Sequence, residues 1–217
     1  MKRRAPRGRN LIIVISGPSG VGKSTVIARL ISTRLKGAAE FSVSVTTRAS
    51  RPGEREGRDY RFVSREEFER MKEAGDFAEW AAVHGEFYGT PRAEIERVLR
   101  SGRDLILELD VQGGASIRKL YPEAVLVFLA VGAGELRRRL EGRPSSLPEK
   151  LMKEEIETRL RVAAEEIRAA AGYTYLVVND DLEKSVEMIH SIIRAERCRL
   201  TGGAGMKNIG EVFGFGN

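Results

Sequence analysis

The run Leu11-Ile12-Ile13-Val14-Ile15-Ser16-Gly17-Pro18-Ser19-Gly20-Val21-Gly22-Lys23-Ser24-Thr25 decides the fold. Residues 11–16 are short, apolar and β-branched, and glycine stops them, which predicts a buried strand. Residues 24–35 predict a helix, because Val26, Ile27, Leu30 and Ile31 fall on one face with polar residues opposite. Between strand and helix, Gly17 to Ser24 satisfies G-x-x-x-x-G-K-[ST] at every position. Glycines there let the backbone turn tightly and aim its N–H groups at phosphates, and the helix N-terminus adds partial positive charge. Lys23 is the point charge for the β- and γ-phosphates, and Ser24 offers its hydroxyl to Mg²⁺. Residues 17–25 are therefore assigned to a nucleoside triphosphate. The motif leaves the acceptor open: water, a protein hydroxyl and a small-molecule phosphate all fit it.

Working outward, residues 105–109, 125–131 and 175–178 read as further buried strands separated by helical stretches. Continuous apolar strands alternating with helices imply a parallel sheet covered on both faces, the α/β class. Two segments interrupt the alternation. Residues 41–89 are richer in Arg, Glu, Gly and aromatics, with Ser42-Val43-Ser44-Val45 and Arg61-Phe62-Val63 as strands and Ser64 with Glu67 as a capping box. They read as a small inserted α+β subdomain. Residues 135–171 are helical and charged, broken at Arg143-Pro144-Ser145-Ser146-Leu147-Pro148, and read as a lid. The core is then residues 11–40, 90–134 and 172–200. Thr90-Pro91 reads as a helix start with Thr90 as N-cap, and Asp181 as another.

Composition sets bounds. The 217 residues suffice for one α/β core with small insertions. Net charge is +6, but Lys2, Arg3, Arg4, Arg7 and Arg9 fall in residues 1–10, leaving about +1 elsewhere. The basic balance is thus a tail effect, a solvated leader rather than a nucleic-acid groove or membrane patch. No apolar run reaches membrane-span length and the leader lacks the apolar core of a secretory signal, so the expected location is cytoplasmic. One cysteine, Cys198, makes neither a disulfide nor a metal cluster. The glycine-rich residues 201–217 read as a second tail. Neither oligomeric state nor a role for either tail is legible.

Glu108 and Asp110 stand two apart at the end of the 105–109 strand, where ligands gather in α/β sheets. Either carboxylate is a candidate to hold Mg²⁺ through water.

Downstream of the first helix come Ser42-Val43-Ser44-Val45-Thr46-Thr47-Arg48, Arg51-Pro52-Gly53-Glu54 and Gly57-Arg58-Asp59-Tyr60-Arg61-Phe62. After them stand Phe77-Ala78-Glu79-Trp80, Tyr88-Gly89-Thr90, residues 106–113 and Val178-Asn179-Asp180-Asp181. In these blocks, in their order and over most of the chain, the sequence resembles the guanylate kinase family of phosphate-loop nucleoside monophosphate kinases. The resemblance implies a core, a GMP-binding domain at 41–89 and a lid at 135–171. It also implies Mg²⁺-dependent transfer from ATP to GMP, in line and without a covalent enzyme intermediate. His84 has no evident partner as a nucleophile. By the same resemblance Arg48, Arg51, Tyr60 and Tyr88 take the GMP phosphate, and Glu79 reads the guanine N1–H and N2–H₂ donors. Ser44 and Thr90 meet the other guanine edge, and Asp110 sits near guanine and the reacting atoms. Polar readout of this kind discriminates bases by about 10⁴-fold. Lys23, Arg48, Arg139, Arg143, Arg159 and Asp110 are the expected catalytic set, whereas Arg137 and Arg138 read as solvated.

One departure sits in the lid, where Pro144-Ser145-Ser146-Leu147-Pro148 replaces the family's usual Gly-Thr continuation and lengthens the path to Arg159. A rival reading is a non-catalytic interaction module of the same fold. Such modules typically lose the loop lysine or a GMP ligand, and this chain keeps Lys23, Ser24, Arg48 and Glu79. Another is a phosphate-loop kinase for a different small acceptor.

Overall fold

Strand periodicity sends alternate side chains to opposite faces, and both faces of the first strand are apolar. The structure, a computed structural model described here for residues 10–83, 85–142 and 148–199, shows the result. In chain order the elements are β1 (Ile12–Ser16), α1 (Lys23–Thr33), β2 (Ala39–Phe41), β3 (Ser44–Thr46), β4 (Tyr60–Phe62), α2 (Arg65–Glu73), β5 (Phe77–Val83) and β6 (Glu86–Pro91). Then come α3 (Arg92–Arg100), β7 (Asp104–Glu108), α4 (Val111–Leu120), β8 (Val125–Ala130), α5 (Ala133–Glu141), α6 (Glu149–Ala169), β9 (Tyr175–Val178) and α7 (Leu182–Arg197).

All five residues of β1 are buried. Ile13 and Ile15 pack with Val26, Ile27 and Leu30 of α1 and with Val186, Ile189 and Ile193 of α7. Ile12 and Val14 pack on the opposite face with Ile95 and Val98 of α3 and Ile117 of α4. One strand thus nucleates two cores, and each fully buried Ile or Val contributes about 1.5–3 kcal/mol of burial free energy. Ile31, expected on the buried face of α1, only borders the first cluster. The central sheet has order β2-β7-β1-β8-β9, and each of its strand pairs is parallel, as the apolar runs predict. β2 is a strand that sequence reading missed. It pairs with β7 and brings Phe41 into the central sheet, one residue past the expected boundary.

A second sheet of order β4-β3-β6-β5 stands beside the first. Its β3–β4 pair is parallel, and β6 runs antiparallel to both β3 and β5. Val45, Phe68 and Phe77 fill its small core, with Phe68 stacked on Phe77 at 4.6 Å. Ser64 caps α2 by accepting from the Glu67 N–H at 3.1 Å. The return half of the expected capping box is spent elsewhere, since the Glu67 carboxylate takes Arg61 at 2.7 Å. A fourth apolar cluster, Leu136, Leu140, Ile156 and Ala163, joins α5 to α6. No helix among the described residues is long and apolar enough to cross a membrane.

Candidate active site

β1 lies between β7 and β8, so the chain leaves its carboxyl end at the point where the strand order reverses. The glycine loop occupies that crevice. Gly17 has φ +148°, and a Cβ there would lie 2.1 Å from the Leu129 carbonyl oxygen, so only glycine lets the loop turn against β8. Val21 is fully buried and pins the loop from beneath. Its carbonyl accepts from Asn179 Nδ2 at 2.8 Å and from Arg139 Nη1 at 3.0 Å. Arg139 also reaches the Asn179 carbonyl at 2.9 Å and Glu135 at 2.5 Å. Arg139 therefore ties α5, the loop and the turn after β9 together. In this structure its guanidinium is engaged with protein groups. Asn179 stands in a block that carries the family resemblance but was given no role there, and Glu135 was not singled out, because a loop-holding amide or carboxylate has no local signature.

Lys23 opens α1, and its ammonium donates to the carbonyls of Gly17 at 2.6 Å and Pro18 at 3.3 Å, across the mouth of its own loop. Ser24 and Thr25 follow on the exposed first turn. The Ser24 hydroxyl sits 3.1 and 3.0 Å from the two oxygens of Glu108, the last residue of β7. Of the two acids at this strand end, then, Glu108 faces the loop. Asp110 lies beyond the strand and N-caps α4, accepting from the Gly113 N–H at 2.7 Å.

A cleft of about 200 Å³ opens from Lys23, Glu108 and Asp110 to the second sheet, where Ser44, Tyr60, Glu79, Tyr88 and Gly89 line it. Glu79 is 8% exposed. Thr90, fully buried, donates its hydroxyl to Glu79 Oε1 at 2.5 Å. Burial pushes the Glu79 carboxyl up to about 7, with Asp110 adding to the rise and the Thr90 hydrogen bonds opposing it. The N-cap expected at Thr90 is a correction: Pro91 is the cap residue of α3, and no side chain caps that end. The Thr90 hydroxyl goes to the buried carboxylate, and the Arg92 N–H at the helix start finds the Asp76 carbonyl at 2.8 Å instead. Gly113 has a second role here, since a Cβ on it would lie 3.1 Å from Glu79 Oε2, so α4 can approach the carboxylate closely.

Arg48 follows β3 and lies over the Tyr60 ring at 4.9 Å. Glu54 holds it in a bidentate pair, Nη1 and Nη2 each at 2.7 Å. Tyr60 and Tyr88 meet edge to face with centroids 6.0 Å apart. Arg51 is exposed, its backbone N–H bonded to Glu54 Oε2 at 2.8 Å. Arg159 pairs with Glu155 one turn back on α6. Arg143 and His84 lie outside the described residues. Among the described residues no group of three or more His, Cys, Asp or Glu is placed to hold a metal. The hard oxygens of Ser24 and Glu108 nonetheless suit Mg²⁺ arriving with a nucleotide.

A parallel sheet with a glycine loop at its switch point, a loop lysine, and a serine–glutamate pair beside it define a phosphate-loop kinase fold. Comparisons with known proteins narrow this. A family model described as guanylate kinase matches residues 9–196. A guanylate kinase of Symbiobacterium thermophilum is 45% identical over 195 residues, 89% of this chain and 88% of that protein. One from Rubrobacter xylanophilus is 46% identical over 189 residues, 87% of this chain and 94% of that protein. The crystal structure of guanylate kinase from Anaplasma phagocytophilum matches with TM-score 0.73 and 34% identity, covering 95% of this chain and 96% of that one. The chain belongs to the guanylate kinase family, the nucleoside monophosphate kinases that the sequence resemblance pointed to.

Proposed function

We propose that this chain transfers the γ-phosphoryl group of ATP to the phosphate of GMP, releasing ADP and GDP. One observation carries the reading: a single cleft joins the loop lysine, Lys23, to the buried Glu79–Thr90 pair. A kinase that reads guanine needs both ends within one nucleotide's reach. Residues 17–25 cradle the triphosphate with backbone N–H groups, and Lys23 leaves the Gly17 and Pro18 carbonyls for the β- and γ-phosphates. Ser24 directly, and Glu108 through water, would hold Mg²⁺, which when bound neutralises phosphate charge. Arg48, Arg51, Tyr60 and Tyr88 orient the GMP phosphate so that one of its oxygens lies in line with the γ-phosphorus. Glu79 accepts from guanine N1–H and N2–H₂, Ser44 and Thr90 meet the neighbouring edge, and Asp110 borders both substrates. Ionised, Glu79 rejects adenine, whose unprotonated N1 would face a buried anion. Catalysis is positioning plus charge neutralisation, with no covalent intermediate on the protein.

Residues 41–89 act as the GMP-binding part and residues 135–171 as the lid. Closure brings Arg143 and Arg159 to the transferring group and excludes water, while Arg139 anchors the loop beneath it. The substrates are small molecules, with no nucleic acid or membrane involved, and the single thiol suits the cytoplasm.

The test is ADP release coupled to NADH oxidation, with GMP, AMP or neither as acceptor. Turnover with GMP at least about 10³ times that with AMP is expected. ADP release that ignores GMP, or treats AMP equally, would sink the proposal.

A further inference from the structure

The segment between β3 and β4 has no regular secondary structure, yet it carries both arginines assigned to the acceptor phosphate. Some of its backbone N–H groups close local turns, and acidic side chains take those of Arg51 and Arg55. Asp59 accepts from the Arg55 N–H at 2.8 Å, and Glu56 reaches out of the segment to the Phe62 N–H of β4 at 2.9 Å. Glu54 accepts from the Arg51 N–H at 2.8 Å; Asp59 also pairs with Arg58 at the exposed surface, whereas Glu54 grips Arg48, an arginine assigned to the acceptor phosphate.

That grip fixes which edge of Arg48 is presented. Glu54 takes one hydrogen each from Nη1 and Nη2, and the Ala49 carbonyl takes the other Nη1 hydrogen at 2.9 Å. A guanidinium has five N–H donors in a planar fork. These bonds leave Nε–H and the second Nη2–H, which lie side by side along one edge. Two parallel donors on one edge are the geometry that a phosphate takes bidentately. The Tyr60 ring stacks over the face of the same guanidinium at 4.9 Å. The Arg48 side chain is only 11% exposed and that of Glu54 20%, so the pair is not a loose surface bridge.

We infer that Glu54 is a positioning residue for the acceptor site: it locks Arg48 end-on, so that the free edge meets the GMP phosphate, and fixes the Arg51 backbone in the same act. The inference rests on the proposed reading of Arg48 as a phosphate ligand. It runs against simple charge counting. Glu54 is an anion beside a site for a dianion, so on charge alone its removal strengthens GMP binding. On the positioning account its removal weakens binding, because Arg48 and the loop lose their orientation.

Opposite signs make the test decisive. Steady-state kinetics, varying GMP and ATP separately, are measured for E54Q, E54D, R48K and the E54Q/R48K double variant, with thermal unfolding of each. Expected for E54Q is a roughly ten- to hundredfold fall in kcat/KM for GMP, the scale of misplacing a substrate by about an ångström. KM for ATP should stay within about twofold, because the loop lies on the other sheet. E54D, which keeps the charge but shortens the reach, should fall between, and E54Q should add little once Arg48 is lysine. If R48K lowers kcat/KM for GMP while E54Q leaves it unchanged or raises it, the role of Glu54 is overturned and that of Arg48 stands. If R48K has no effect, the phosphate-ligand reading fails and the inference falls with it. Should E54Q not fold, E54D decides: a selective GMP defect supports positioning, and an equal loss for ATP overturns it.

Discussion

Glu79 shows how much a single residue's surroundings can set. Its carboxyl is pushed up to about 7 chiefly by burial, so below about pH 7 the empty site holds a neutral acid. Guanine needs the ionised form, since N1–H and N2–H₂ are both donors. GMP binding below that point must therefore release a proton, whereas above it the carboxylate is ready. The dissociation constant for GMP should rise about tenfold per unit as pH falls below about 7, and be flat above. Calorimetry in buffers of different ionisation enthalpy would read the released proton directly, and a flat profile from about pH 5.5 to 8.5 would remove the argument. Thr90→Val deletes the hydroxyl that donates to Glu79 at 2.5 Å. It removes stabilisation of the anion, so the break in the profile should move upward and affinity at pH 7 should drop by about 1–2 kcal/mol. The carboxylate was legible in the sequence through its block, Phe77 to Trp80. Its partner was half legible: the hydroxyl was noted, but local pattern offered it equally to a helix start.

At the scale of elements, the phosphate loop is held from behind by pieces far away in sequence. Asn179, just after β9, donates to the Val21 carbonyl 158 positions earlier, and Arg139 of α5 donates to the same oxygen. The loop's inward N–H groups keep their aim because its outward carbonyl is fixed. Asn179→Ala should raise KM for ATP by about tenfold, roughly one charge-neutral buried hydrogen bond. KM for GMP should not change, because the second sheet is untouched. Equal losses for both substrates would mean a general defect in folding instead. The strands β1, β7 and β8 were plain in the sequence, each being built on a short apolar run. Strands β5 and β6 were not, since Phe77–Val83 and Glu86–Pro91 mix charged, aromatic and glycine residues. Their regularity comes from pairing with each other and with β3, which no local window contains.

For the whole molecule, four apolar clusters among the described residues divide the labour. The main sheet holds the loop rigid, and the second sheet carries the residues assigned to the acceptor. The α5–α6 pair has its own small core, within which Leu140 approaches the phosphate loop: a Cβ on Gly20 would lie 3.0 Å from Leu140 Cδ2. Leu140→Ala should cost about 2–4 kcal/mol, and the loss should be local. Amide hydrogen exchange should quicken in α5 and α6 and stay unchanged in β1, with KM for ATP raised. Uniform acceleration across the chain would show instead that the α5–α6 core is one cooperative unit with the main sheet.

The sequence by itself determined the parallel α/β core, the phosphate loop and the family, because these rest on local periodicity and on residues fixed at short spacings. Tertiary structure alone decided which carboxylate faces Ser24, which partner takes the Thr90 hydroxyl, and what Arg48, Arg139 and Glu54 hold. Each of those is a competition among polar groups for a limited number of partners. Its outcome depends on distances between segments as much as 158 positions apart. The glycine loop reads the same in both. Its lysine at rest on the Gly17 and Pro18 carbonyls, and the side chains pinning it from below, appear only once the chain is folded.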